Sequence, residues 1–407
     1  MTADRTLELV REGYPWSRRV RGSERSVPLR LLGRSSVLVG GPEGVRRFYD
    51  ESLQRSGAFP APIKLVLFGP GTVHGLDDAE HHHRKAMFLD VLAPAAVARL
   101  GEQAARTWTT TMQSWRGRSR IVLFDEAVQV LGSTVLAWAG VEVPDAEARR
   151  RSRQLAQVLE GFATPGLVYL RAAEARRRLD RWARRLVRET RIGVRDPAPG
   201  TALHAAAALT NVRGRPLPPR VAAIELLNVI RPTVAVAWFV AFAGKALHEH
   251  PEWRQRIADG DQTARNAFVH EVRRLYPFVP VLTARARRRQ DVLGVDVPRG
   301  GLVVLDVHGT DHDPQLWPDP DAFDPERFLP DRARLEPLAD DTLVPQGGGD
   351  VAGGHRCPGE GVTLTMLAAA VDALARAQWS VPAQDLDYDL DRMPTKPRSG
   401  VILSVPA

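Results

Sequence analysis

Apolar positions recur at helical spacing along most of the chain, and strand-like runs are few and short. Residues 27–41 read as two short strands around Gly33-Arg34-Ser35-Ser36, followed by a helix over 42–53. Glycine and proline make 64–77 a loop, and the acids Asp78 and Glu80 open a helix after it. From 93 to 190 the pattern is mostly helical, punctuated at Gly132, Pro144, Pro165 and Gly166. Within it, 172–191 predicts an arginine-rich amphipathic helix with Leu179, Trp182, Leu186 and Val187 on one side. Loops are predicted at 196–200 and 213–219, and the most apolar helix follows over 220–250. Strands are predicted within 292–307 and 397–405, and an alanine-rich helix over 362–379. A predominantly helical chain with minor sheets is the expectation.

Two places break this pattern. The first is Arg231-Pro232, in the middle of the most apolar helix. Proline removes a backbone bond there and frees the Asn228 carbonyl. A buried arginine stays charged and calls for an anion, either a protein carboxylate or an acidic ligand. The second is Cys357, the only cysteine, just before the helix over 362–379. Five glycines lie between Pro345 and Cys357, so the backbone there can pass close to a bulky partner. A cysteine near a helix N-terminus favours thiolate, the metal-ligating form, although a lone cysteine is also a common small core residue.

Other candidates are weaker on their own. His74 reads as a surface-loop histidine. His81-His82-His83 invites a metal claim, but adjacent helical side chains diverge by about 100° and do not converge on one ion. Glu271 and Arg274 share a helix face, and Arg327 follows in a proline-rich stretch.

Composition narrows the picture. A single cysteine excludes internal disulfides, no continuous apolar run of membrane-spanning length is evident, and 44% hydrophobic residues suffice for a large core in 407 residues. The opening Met1-Thr2-Ala3-Asp4-Arg5 has no hydrophobic signal segment, so a cytoplasmic protein is expected. The formal charge of +8 comes from arginines dispersed among alanines and acids, without aromatic interleaving. A solvated basic surface, and not a nucleic-acid partner, is the expectation.

The Pro345–Thr363 stretch resembles the haem-binding loop of the cytochromes P-450, the haem-thiolate superfamily, with Cys357 at the axial-ligand position. Its usual Phe-Gly-x-Gly opening is replaced by Gln346-Gly347-Gly348-Gly349, and with Gly354-His355-Arg356-Cys357 this resembles the bacterial fatty-acid peroxygenases. The resemblance spans nearly the whole chain. It implies one domain over 1–407, mainly α, a triangular helical prism with small peripheral β-sheets. Haem b would lie between the Arg231 helix and the Cys357 loop. Glu271, Arg274 and Arg327 would form a buried network shaping that loop.

The same resemblance assigns roles. Cys357 would ligate the iron, and His81, Arg84 and His355 would contact the cofactor. Arg231 and Pro232 replace the acid–alcohol pair of ordinary monooxygenases, with Arg231 binding a fatty-acid carboxylate beside the iron. Phe68, Phe278 and Val281 would contact substrate, and His74 occupies a position where glutamine or histidine occurs in these enzymes. The implied reaction is hydrogen-peroxide-dependent α/β hydroxylation of long-chain fatty acids, with decarboxylation to terminal alkenes, needing no redox partner and no integral membrane association. A redox-partner-dependent monooxygenase and a non-catalytic haem or fatty-acid carrier are the rival readings.

Overall fold

In the computed structural model, residues 3–330 and 340–407 are described; Met1 and Thr2 of the opening stretch lie outside them. The helix Pro219–Glu249 runs through the middle of the molecule. It packs on Leu123–Trp138, Leu167–Arg191 and Glu360–Arg376. Leu226, Ile230, Val234, Ala237 and Phe242 anchor it in the largest apolar cluster. Its most apolar 18-residue window satisfies the length and composition of a membrane span. That window is 89% buried within the protein, so the apolarity belongs to a core helix. Pro232 lies inside the helix without ending it.

The Leu167–Arg191 helix buries Leu179, Trp182, Leu186 and Val187 and turns most of its arginines outward, except Arg176, which is buried against the Val66 and Leu67 carbonyls. Gly132 does not break a helix. It sits inside Leu123–Trp138 where a Cβ would lie 2.0 Å from the Ser152 hydroxyl, so glycine permits close packing on Asp145–Gly161.

A five-stranded sheet, in the order Ser26–Leu31, Arg34–Val39, Leu302–Asp306, Val281–Ala286, Leu53–Gln54, borders this helical body. The first two strands are antiparallel and turn at Leu32-Gly33, both with positive φ (52° and 73°), the geometry that suits a tight hairpin. The turn therefore sits ahead of Arg34–Ser36, which belong to the second strand. The helix after it ends at Phe48 and does not reach Leu53, because the Asp50 carboxylate caps the Ser52 amide (2.8 Å) and Leu53 then pairs with Ala286.

Residues 61–68 form helical turns, and from residue 64 they do so where the sequence predicts a loop. Lys64–Phe68 is one wide turn closed by the Gly69 amide on the Lys64 carbonyl (2.7 Å). At the C-terminus only Ile402–Leu403 pairs as a strand, against Ile121–Val122.

Candidate active site

A cavity of about 840 Å³, within the range of small-molecule and cofactor sites, opens between the Pro219–Glu249 helix and the loop ending at Cys357. Cys357, Pro358, Gly359, Val362 and Thr363 form one wall. Arg231, Pro232, Ala235 and Val236 face it from the central helix, and Phe278 and Val281 continue the apolar lining. The cavity extends to Val10, Leu32 and Tyr169.

The cysteine loop is held by side chains on both flanks. Gln346 accepts from Arg273 (2.6 Å) and donates to the Thr363 hydroxyl (2.6 Å). Glu360 pairs with Arg273 and with Arg356 (2.8 Å). Lys85 donates to the carbonyls of Gly354 and Arg356, the latter at 3.1 Å. The glycines serve neighbouring protein groups. A Cβ at Gly347 would lie 2.2 Å from the Tyr49 hydroxyl, and one at Gly348 2.5 Å from the Asp341 carboxylate. By contrast, a Cβ at Gly359 would sit at an ordinary 3.6 Å from the Cys357 sulfur, and at Gly361 it would meet nothing. Burial pushes the Cys357 thiol up, with Lys85 and Arg273 opposing it.

Along one side of the cavity lie His81, Lys85, His355 and Arg55. The His81 and His355 rings lie 3.9 Å apart, tilted by 31°, and His355 lies 3.6 Å from Asp77. Burial lowers Arg55 to about 10 and Lys85 to about 8. One soft sulfur on one wall and several donors along another are the set that haem, with its iron and two carboxylates, requires. Cys357 would hold the iron, and His81, His355, Arg55 and Lys85 are the available carboxylate donors.

Arg84 is not among them. It pairs with Glu225 (2.6 Å) and donates to the Gly71 carbonyl, away from the cavity wall. Positions 81, 85 and 88 share the cavity face of the Asp78–Val91 helix, and residue 84 is turned toward the central helix. Lys85 and Arg55 have no marked sequence signal, since each is one basic residue among many. His82 and His83 fan out to the Gly353 and Thr210 carbonyls, so the three histidines do not converge.

Across the cavity, Arg231 is buried. It donates to the Leu67 carbonyl and, at 3.3 Å, to Asn228, its Nε has no partner, and no carboxylate pairs with it among the described residues. Burial, with the Arg176 guanidinium nearby, lowers it to about 9, so it is a cation at neutral pH. Phe68 lies under the guanidinium (5.8 Å) and stacks on His74 (4.3 Å). His74 is therefore not a surface-loop residue. It lines the cavity, its Nδ1 is buried without a partner, and burial and the Arg231 charge lower it to about 3.

Comparison with known proteins agrees with this geometry. The cytochrome P450 family model matches residues 264–395. Across 99% of this chain, cytochrome P450SP alpha (CYP152B1) in complex with (R)-ibuprophen superposes with TM-score 0.93 and 37% identity over 98% of that chain. Cytochrome P450EX alpha (CYP152N1) with myristic acid gives 0.92 and 35% over 97% of its length. A variant of cytochrome P450 OleT in complex with arachidonic acid gives 0.93 and 32% over 96%. The chain belongs to the cytochrome P450 superfamily, in the CYP152 group. Curated relatives match this P450 over shorter stretches. Dimethylnonatriene synthase of Zea mays is 38% identical over 29% of this chain and 22% of its own length. Cyclooctat-9-en-7-ol 5-monooxygenase of Streptomyces melanosporofaciens is 30% identical over 34% of this chain and 32% of its own. The chain thus spans about a fifth to a third of those relatives' lengths.

The Glu271, Arg274 and Arg327 trio meets as one group in this P450. Glu271 and Arg274 form a fully buried two-bonded pair (2.7 Å each), with Arg327 at 3.5 Å.

Proposed function

We propose that this P450 is a hydrogen-peroxide-dependent fatty-acid peroxygenase, one domain over 1–407, cytoplasmic, that hydroxylates long-chain acids at the α or β carbon and also decarboxylates them to terminal alkenes. The observation that carries the reading is Arg231: a buried cation on the wall of the cavity that Cys357 also lines, with no carboxylate partner among the described residues. The myristic- and arachidonic-acid complexes of two similar enzymes support the same ligand class.

Bound haem supplies peroxide activation and oxidation of a C–H bond, assisted by the Cys357 thiolate. This chain's own groups do the rest. Arg231 binds the substrate carboxylate through charge-assisted hydrogen bonds in a site of low polarity. That contact fixes the first carbons of the acid toward the Cys357 side, which is catalysis by positioning. Arginine does not exchange protons at working pH, so the bound carboxylate is the proton carrier for peroxide cleavage. Phe278 and Val281 line the apolar path of the chain and exclude water. Hydrogen peroxide already carries the two electrons that dioxygen would need from a redox partner, so this reading requires none, and Arg231-Pro232 lacks the acid–alcohol pair that serves the dioxygen route.

The reading is tested by incubating the holoenzyme with palmitic acid and hydrogen peroxide and analysing products. Hydroxy acids or alkene support it. Turnover with electron donors but none with peroxide identifies an ordinary monooxygenase.

His74 steers the choice between hydroxy acid and alkene. Its stacking on Phe68 beside Arg231 puts it next to the group that would bind the carboxylate, which supports this role. His74→Gln is expected to change the alkene-to-hydroxy-acid ratio several-fold with little change in palmitate affinity, and an unchanged ratio removes His74 from the reaction. Because His74 is lowered to about 3, it stays neutral from pH 5 to 9. The ratio should be flat across that window, whereas a histidine at its ordinary value would put an inflection near 6.5.

A further inference from the structure

Glu225, Asn228 and Arg231 recur every third residue on the central helix and share one of its faces. Glu225 is fully buried and accepts from three donors among the described residues. One carboxylate oxygen accepts from Arg84 (2.6 Å) and from the Val73 amide (2.9 Å). The other accepts from the Asn228 side-chain amide (3.0 Å). The Asn228 carbonyl oxygen then accepts from Arg231 (3.3 Å), and its amide also reaches the Phe68 carbonyl (3.3 Å).

We propose that Glu225 is a positioning residue for the carboxylate anchor, orienting Arg231 through Asn228 and the His74 turn through the Val73 amide. The inference rests on the peroxygenase reading and adds to it the group that sets the anchor's geometry. A carboxylate placed directly on Arg231 would neutralise the anchor. Here Arg84 balances the Glu225 charge, and a neutral amide passes on only direction. One hydrogen on each Nη is tied, to Leu67 and to Asn228, and the second hydrogen on each is left for the ligand. The same carboxylate holds the amide next to His74, so the anchor and His74 share one fixed reference.

Two variants of the holoenzyme separate this from a structural role. In Glu225→Gln the new amide presents hydrogens to a neighbour that also donates. Asn228 is then forced to turn its own amide toward Arg231. Asn228→Leu cuts the link but keeps the Arg84–Glu225 pair, so it still reports if Glu225→Gln folds poorly. Both should weaken palmitate binding, measured by calorimetry without turnover, about tenfold, the typical effect of one bond to a charged group. KM should rise in both, and Glu225→Gln should also shift the alkene-to-hydroxy-acid ratio because it alone touches the Val73 amide. In an Arg231→Leu background neither variant should weaken binding further. Wild-type affinity in Asn228→Leu, or full additivity with Arg231→Leu, overturns the proposal. Failure of the wild-type enzyme to bind or oxidise palmitate instead overturns the peroxygenase reading itself, and the positioning role with it.

Discussion

Arg231→Leu is expected to lower kcat/KM for palmitate by roughly 10²–10³-fold while leaving the holoenzyme folded and its cofactor in place. The magnitude follows from the bonds lost. One or two charge-assisted hydrogen bonds to a carboxylate in a buried site contribute about 3–4 kcal/mol, and each 1.4 kcal/mol is tenfold. The remaining apolar lining at Phe278 and Val281 still attracts the chain but no longer fixes its register. Stability should move the other way. In the substrate-free protein this cation has one carbonyl and one amide as partners and no carboxylate among the described residues. Removing a poorly compensated buried charge should leave the unfolding midpoint unchanged or raise it. Arg231→Lys keeps the charge without the planar fork and should fall between the two. Product assays and thermal unfolding on the same preparations check both halves. Activity retained in Arg231→Leu would refute the anchor.

What the sequence made legible were residues whose chemistry conflicts with their surroundings. Arg231 and Pro232 stood out because a charge and a helix breaker interrupt the most apolar helix, and the structure places both on the cavity wall. Cys357 stood out through its glycines and uniqueness, and it lines the same cavity. The helical periodicity of 172–191 and 220–250 reported burial directly, since a face must be apolar to pack. What was hidden depends on tertiary contact. His74 looked like a surface histidine because nothing local shows that Phe68 and Arg231 converge on it. Arg84 and Lys85 are adjacent basic residues, and only the packing of their helix decides that one meets Glu225 and the other the cysteine loop. Gly347 and Gly348 also make room for Tyr49 and Asp341, contacts that nothing local in the loop shows.

Glu271→Ala should cost about 3–5 kcal/mol of stability, a large share of the 5–15 kcal/mol that holds a domain together. The loss comes from what stays behind. Arg274 is fully buried, its two bonds to Glu271 are its only anionic contacts among the described residues, and Arg327 loses a partner at 3.5 Å. The Asp324 amide loses its acceptor as well (2.9 Å). The damage should travel toward the cysteine. Arg274 also donates to the carbonyls of Asp311 and Pro320 (2.9 and 2.8 Å), and the Asp311 carboxylate accepts from the Val344 amide (2.7 Å). Val344 lies two residues before Gln346, which ties the loop to Arg273 and Thr363. A displaced Arg274 therefore loosens the segment that presents Cys357, and the variant should be recovered with a reduced haem-to-protein ratio as well as a lower unfolding midpoint. Glu271→Gln keeps the volume and one acceptor, so it should lose less of both. A Glu271→Ala protein with wild-type stability and full haem content would show that the network is not what holds the loop.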